Sequence, residues 1–126
     1  VNGARETLTF ITDKRSGKFT EGRDAEVCWY LTGTREQFRL SGTLEMVTNG
    51  SAPPLSPLRT AKWQALSANA RKQFLWPHPG EPRPANCGEA ENQRDFDDVV
   101  PSELEPPETF VLVLLRPERV DHLRLR

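Results

Sequence analysis

Hydrophobic and polar positions alternate most cleanly between Gln37 and Val47. Phe38, Leu40, Leu44 and Met46 share one parity, with Gly42 between them, while Arg39, Ser41, Thr43 and Glu45 take the other. This pattern predicts a long antiparallel strand with one face in the core. Gly42 suits a bend or bulge, as a strand needs when its sheet curls into a barrel. Thr7 to Thr12 alternates as well, with Leu8 and Phe10 on one face. Glu26 to Leu31 is an apolar and aromatic strand carrying Cys28, Trp29 and Tyr30. Lys18 to Arg23 allows a short helix, which Gly17 and Gly22 weaken. Phe110 to Leu115 reads as a buried strand, Arg116-Pro117-Glu118 as a turn, and Val120 to Leu125 as a final strand.

Between these strands the period changes. Ser51 to Pro57 is a proline-rich connector, and Ser56 is placed to cap a helix with Pro57 at its first position. Trp63, Leu66, Ala70 and Phe74 then recur at helical spacing. Ser67 is placed to cap a second helix, and Pro77 and Pro79 end the helical stretch. Strands, a helical excursion and strands again predict a mainly β fold with a helical insertion. An antiparallel sheet or small barrel fits this order better than a parallel βαβ fold.

The composition adjusts this picture. The chain has 126 residues, one domain's worth, and a formal net charge of −1. That balance argues against a general nucleic-acid binder, which needs a large positive excess. The hydrophobic fraction is 36% and mean hydropathy is −0.64, so part of the chain is loop rather than core. The loop is legible as a segment from about Glu81 to Glu108, rich in proline and acids, and is expected to be an irregular, mobile and dispensable insertion. No apolar run approaches the ~20 residues that span a bilayer, and no membrane is expected. Cys28 and Cys87 form no CxxC pair, and no charged-then-apolar leader is visible. A reducing cytoplasmic setting is therefore expected. Asn2-Gly3 is a strong hairpin signal with almost nothing before it, which suggests a preceding strand in a longer protein.

Candidate chemistry concentrates in Thr12-Asp13-Lys14-Arg15-Ser16-Gly17-Lys18. Hydroxyls, cations and a glycine within one turn after a strand suit a phosphate monoester. The same residues also suit a solvated hairpin turn, and both readings stand at this point. Gln37 and Arg39 share the parity opposite the apolar stripe, where a Gln can bond the edge of a polar heterocycle or simply face solvent. His78 and His122 have no ligand-spaced partners, so no metal site is expected. Asp121 and His122, adjacent in a strand, point to opposite faces and are no catalytic pair. Cys28 in an apolar strand reads as packed. Trp63, Phe74 and Trp76 suit core packing, with ligand stacking as the other use. No catalytic side chain emerges.

Five segments in register resemble the pyridoxamine 5′-phosphate oxidase-like flavoproteins. They are Leu8 to Lys18; Glu26-Val27-Cys28-Trp29-Tyr30; Thr34 to Gly42; the helical segment with Trp63, Leu66, Ser67, Ala70, Arg71, Gln73, Phe74 and Trp76-Pro77; and the ending with Pro117 and Val120-Asp121-His122-Leu123. The resemblance spans most of the chain outside the proline-rich loop. It implies an antiparallel FMN-binding split β-barrel that forms a homodimer, with FMN at the subunit interface. It also implies that Thr12, Ser16 and Lys18 hold the FMN phosphate, with Ile11 beside them and Arg15 as an added cation. Gln37 would contact the flavin. Where many members carry Ser-Arg-Lys, this chain has Ser16-Gly17-Lys18. The family's front strand and its tail with a Trp and an Arg are not seen, so a domain truncated at both ends is expected. The implied function is the FMN-binding domain of an oxidoreductase that takes a hydride from a small-molecule amine or alcohol. The alternative is a non-catalytic flavin-binding or dimerisation module of the same fold.

Overall fold

The computed structural model describes residues 7–17, 22–78, 80–82 and 100–125. Strands β1 (Leu8–Asp13), β2 (Asp24–Leu31) and β3 (Glu36–Val47) come first. Helices α1 (Leu55–Gln64) and α2 (Ala68–Lys72) follow, then a 3₁₀ turn over Gln73–Leu75, and β4 (Phe110–Arg124) closes the chain. The four strands form one antiparallel sheet in the order β1-β4-β3-β2, curled into a half-barrel.

The continuous apolar run at the start of β4 is explained by its place. Phe110 to Leu115 lies between β1 and β3 and is buried on both faces. On one face Leu112 and Leu114 join Val47, with Leu55 and Leu58 of α1 laid over them. Beside them Phe110 meets Trp63 and Phe74, with Leu66 at the edge. Those three rings pack edge to face, with centroids 5.1 to 5.8 Å apart. Val111, Val113 and Leu115, of the other parity, are buried on the opposite face.

The expected turn at Arg116-Pro117-Glu118 is corrected to a bulge inside one continuous strand. Ser41 pairs with Arg119 and Gly42 with Pro117, which leaves Glu118 as the extra residue. Pro117 has no N–H to donate, and a bulge is where a central strand can hold it. The cap expected at Ser56 also differs. Helix α1 starts two residues earlier than expected, at Leu55 rather than Pro57, behind Pro54 and without a side-chain cap. Ser67 does cap α2, its hydroxyl accepting from the Ala70 N–H at 3.2 Å.

Part of the proline-rich segment is fastened down. The Trp63 indole N–H donates to the Ser102 carbonyl at 2.9 Å, and Gln64 donates to the Leu104 carbonyl at 3.2 Å. Buried Arg59 donates to the carbonyls of Pro107 (2.6 Å) and Phe110 (3.0 Å). A linker replacement would have to spare these residues. The middle of the segment, 83–99 with Cys87, lies outside the described residues, as does the possible helix at 18–21. Cys28, expected to be packed, is exposed, because β2 is an edge strand.

Candidate functional site

The turn after β1 is built by Asp13. Its carbonyl accepts from the Ser16 N–H at 3.0 Å, and its carboxylate accepts from the Arg15 N–H at 2.8 Å. The same carboxylate takes a two-pronged grip on the guanidinium, from Nε at 2.9 Å and Nη2 at 2.7 Å. Arg15 then reaches across to the helical segment. Its Nη1 donates to the Trp76 carbonyl at 2.6 Å, and Nη2 also lies 3.4 Å from the Phe74 carbonyl. The Lys14 N–H donates to the Thr109 carbonyl at 2.8 Å, and the Thr109 hydroxyl donates to the Phe74 carbonyl at 2.6 Å. The turn is thus fixed to the end of the helices and to the start of β4.

This folding brings two of the expected site residues together. The hydroxyls of buried Thr12 and of Ser16 stand 3.5 Å apart. Beside them lies a half-open cavity of about 340 Å³, lined by Ile11, Thr12, Asp13, Gln73, Phe74 and Trp76, among others. Arg15 is in the same turn, but its donors are directed to Asp13 and to backbone carbonyls. Lys18 lies outside the described residues.

Gln37 is not brought to the turn. Its cross-strand neighbours are Tyr30 and Leu123, whereas the turn begins beyond Thr12, whose partner is Val111. Val47, opposite Leu112, is ten positions further along β3 than Gln37. At ~3.3 Å per residue the two places are separated by about 30 Å along the sheet. The surface near Gln37 is apolar and uncovered. Tyr30 is 45% exposed and Leu123 52%, and on the opposite face Trp29 is 54% and Val120 55%. Trp29, Leu31, Phe38 and Leu40 there line a second cavity of about 220 Å³.

Electrostatics follow the contacts. Burial alone would raise the Asp13 carboxyl, but the hydrogen bonds and charge of Arg15 outweigh it and hold the group below its ordinary 3.8. Arg15 is pushed up in turn, chiefly by its bond to Asp13. At the far end of the sheet the Glu36 carboxyl is lowered, first by the His122 ring nitrogen 2.7 Å away and then by Thr34. The His122 ring also stacks on Phe38 at 4.5 Å. Among the described residues no group of three or more His, Cys, Asp or Glu is placed to hold a metal, and no helix is long and apolar enough to cross a membrane.

The Asp13 shift gives a prediction. A depressed carboxyl stabilises the fold above its unfolded value and loses that contribution as pH falls through the folded one. The stability difference between wild type and Asp13→Asn should be level near neutral pH and shrink below about pH 4. Urea unfolding at stepped pH measures it, and a difference undiminished at about pH 2 contradicts the pairing.

Residues 2–48 match the family model described as pyridoxamine 5′-phosphate oxidase, FMN-binding domain. The solved structure of a pyridoxamine 5′-phosphate oxidase-related, FMN binding protein from Nostoc punctiforme PCC 73102 superposes with a TM-score of 0.83 at 44% identity. That match covers 95% of this chain and 61% of the Nostoc protein. Residues 2–48 thus match the FMN-binding domain of the pyridoxamine 5′-phosphate oxidase family, and nearly the whole chain is similar to a protein related to that family. Its curled antiparallel sheet is the split barrel of that family. The pyridoxine/pyridoxamine 5′-phosphate oxidase 2 of Arabidopsis thaliana is 38% identical, over 96% of this chain and 60% of that protein. PhzG of Burkholderia lata 383 shares the fold at a TM-score of 0.70 and 16% identity. The chain thus spans about three fifths of the length of the first two relatives.

Asp13 is the residue of this turn that sequence reasoning missed. Its signal was available: an Asp two positions before an Arg, just after a strand, is the spacing of a side-chain-closed turn.

Proposed function

We propose that this chain is the FMN-binding part of a flavin-dependent oxidoreductase acting on a small-molecule substrate. The observation that carries the reading is the Thr12 and Ser16 hydroxyl pair, 3.5 Å apart beside a cavity, within the span matched by the FMN-binding family model. The residues suit the group. Two hydroxyls offer donors to phosphate oxygens, and among the described residues the one carboxylate lining that cavity, Asp13, is already paired with Arg15. Thr12, Ser16 and Lys18 take the phosphate, and Ile11 supplies an apolar wall. Bound FMN supplies a hydride acceptor for a substrate amine or alcohol. The chain's own residues bind and orient, and none is assigned as an acid or base.

Gln37 reaches the flavin from a second copy. It is too far from the turn to serve the same flavin within one chain, and the apolar surface around it is what a homodimer covers. An exposed free thiol at Cys28 suits a reducing, cytoplasmic setting. The near-zero net charge suits small-molecule rather than nucleic-acid partners.

Charge-assisted contacts to a phosphate contribute ~1.5–3 kcal/mol each. Lys18→Ala should therefore raise the FMN dissociation constant by roughly tenfold or more in the full-length protein, read by quenching of flavin fluorescence. An unchanged constant removes Lys18 from the phosphate site. Flavin binding without oxidation of pyridoxamine or pyridoxine phosphate would favour the non-catalytic module.

A further inference from the structure

The geometry points to a role for Arg15 other than phosphate contact: it is a positioning residue that shapes the phosphate turn through Asp13 and the carbonyls of Phe74 and Trp76. This deepens the FMN reading and rests on it.

Three observations carry the inference. First, each of the three guanidinium nitrogens already has a protein acceptor. Nε and Nη2 hold the two Asp13 oxygens at 2.9 and 2.7 Å, and Nη1 holds the Trp76 carbonyl at 2.6 Å. A planar fork matched to a carboxylate is the geometry in which arginine gives most, and turning it to a phosphate would break all three bonds. Second, the pair is withdrawn from solvent, with both side chains only 20% exposed. An Asp13 carboxylate left unpaired in the cavity wall would repel an incoming anion, and Arg15 cancels that charge. Third, the acceptors are structural junctions. The Phe74 carbonyl also takes the Thr109 hydroxyl, the Phe74 ring stands in the core, and Trp76 lines the cavity. Arg15 therefore links the hydroxyls of Thr12 and Ser16 to the wall that faces them.

The two roles predict opposite signs for one substitution. If Arg15 is a phosphate ligand, Asp13→Asn removes a competitor and a like charge, so FMN should bind tighter. If Arg15 positions the turn, Asp13→Asn loosens it, so FMN should bind more weakly. Lysine separates the roles again. It keeps the charge that a ligand needs, but it lacks the fork that spans Asp13 and the Trp76 carbonyl.

The experiment measures dissociation constants of FMN and riboflavin for the full-length protein, its Asp13→Asn and Arg15→Lys variants, and the double variant. Amide hydrogen exchange of the ligand-free proteins across residues 14–17 and 73–76 is followed alongside. Each single variant should weaken FMN by about tenfold, and the double variant should be no weaker than either single, because the two residues act as one unit. Riboflavin affinity should stay within about twofold, since the turn serves the phosphate. Exchange should quicken at both 14–17 and 73–76. FMN affinity preserved in Arg15→Lys, or tightened in Asp13→Asn, overturns the proposal in favour of direct contact. Equal losses for both flavins overturn it in favour of a general structural role. If the wild-type protein binds neither flavin, the FMN reading falls by itself. The exchange data then still decide whether Arg15 holds the turn, and unchanged exchange at 73–76 says that it does not.

Discussion

Replacing Trp63 by alanine should destabilise the fold by about 3–5 kcal/mol. The side chain has no solvent exposure and sits edge-on to Phe74 at 5.8 Å and to Phe110 at 5.1 Å. Those two rings also lean on each other at 5.1 Å, so removing the indole leaves a void that neither can fill alone. The Ser102 carbonyl loses its donor at the same time. The damage should travel, because the Phe74 main chain also carries bonds from Thr109 and Arg15. Trp63→Phe keeps much of the ring contact and should cost less. Urea unfolding followed by circular dichroism measures both, and a loss under about 1 kcal/mol for alanine contradicts this packing.

Gly42→Ala should be almost as damaging, for a different reason. A β-carbon at this position would overlap the Arg116 carbonyl oxygen and would stand 2.8 Å from the Arg116 carbonyl carbon and 2.9 Å from the Pro117 α-carbon. All three are backbone atoms of the neighbouring strand, so no side chain can turn aside. Strands β3 and β4 must part at the bulge, at a cost of about 3 kcal/mol or more. The pairing of Ser41 with Arg119 and of Gly42 with Pro117 should loosen together. Denaturant unfolding with amide exchange across 40–43 and 116–120 reads the effect. A variant of wild-type stability would mean that the strands do not approach this closely.

Much of this was legible in the chain itself. The parity of Phe38, Leu40, Leu44 and Met46 marks β3, because a curled sheet needs one apolar face. Ser67 was legible as a cap, since its hydroxyl acts within one turn. The Thr12 and Ser16 pairing was legible from spacing after a strand. Other features depend on partners distant in sequence. Pro117 looks like a turn until Gly42 is placed opposite and makes room for a bulge. Cys28 looks packed until β2 is placed at the sheet edge. How far Gln37 lies from the turn after β1 is visible only once strand register places it toward the other end of the sheet. Arg15 looks like a free cation because two of its acceptors are main-chain carbonyls, which every residue carries and which no side chain advertises.

The central claim is that the turn from Thr12 to Lys18 is a phosphate site for FMN. Titration of the full-length protein with FMN and with riboflavin, followed by flavin fluorescence, tests it most directly, since the two ligands differ only in the phosphate. Two or more charge-assisted contacts of ~1.5–3 kcal/mol each predict that FMN binds at least about a hundredfold tighter than riboflavin. Equal affinities for the two, or no binding of FMN, would contradict the claim.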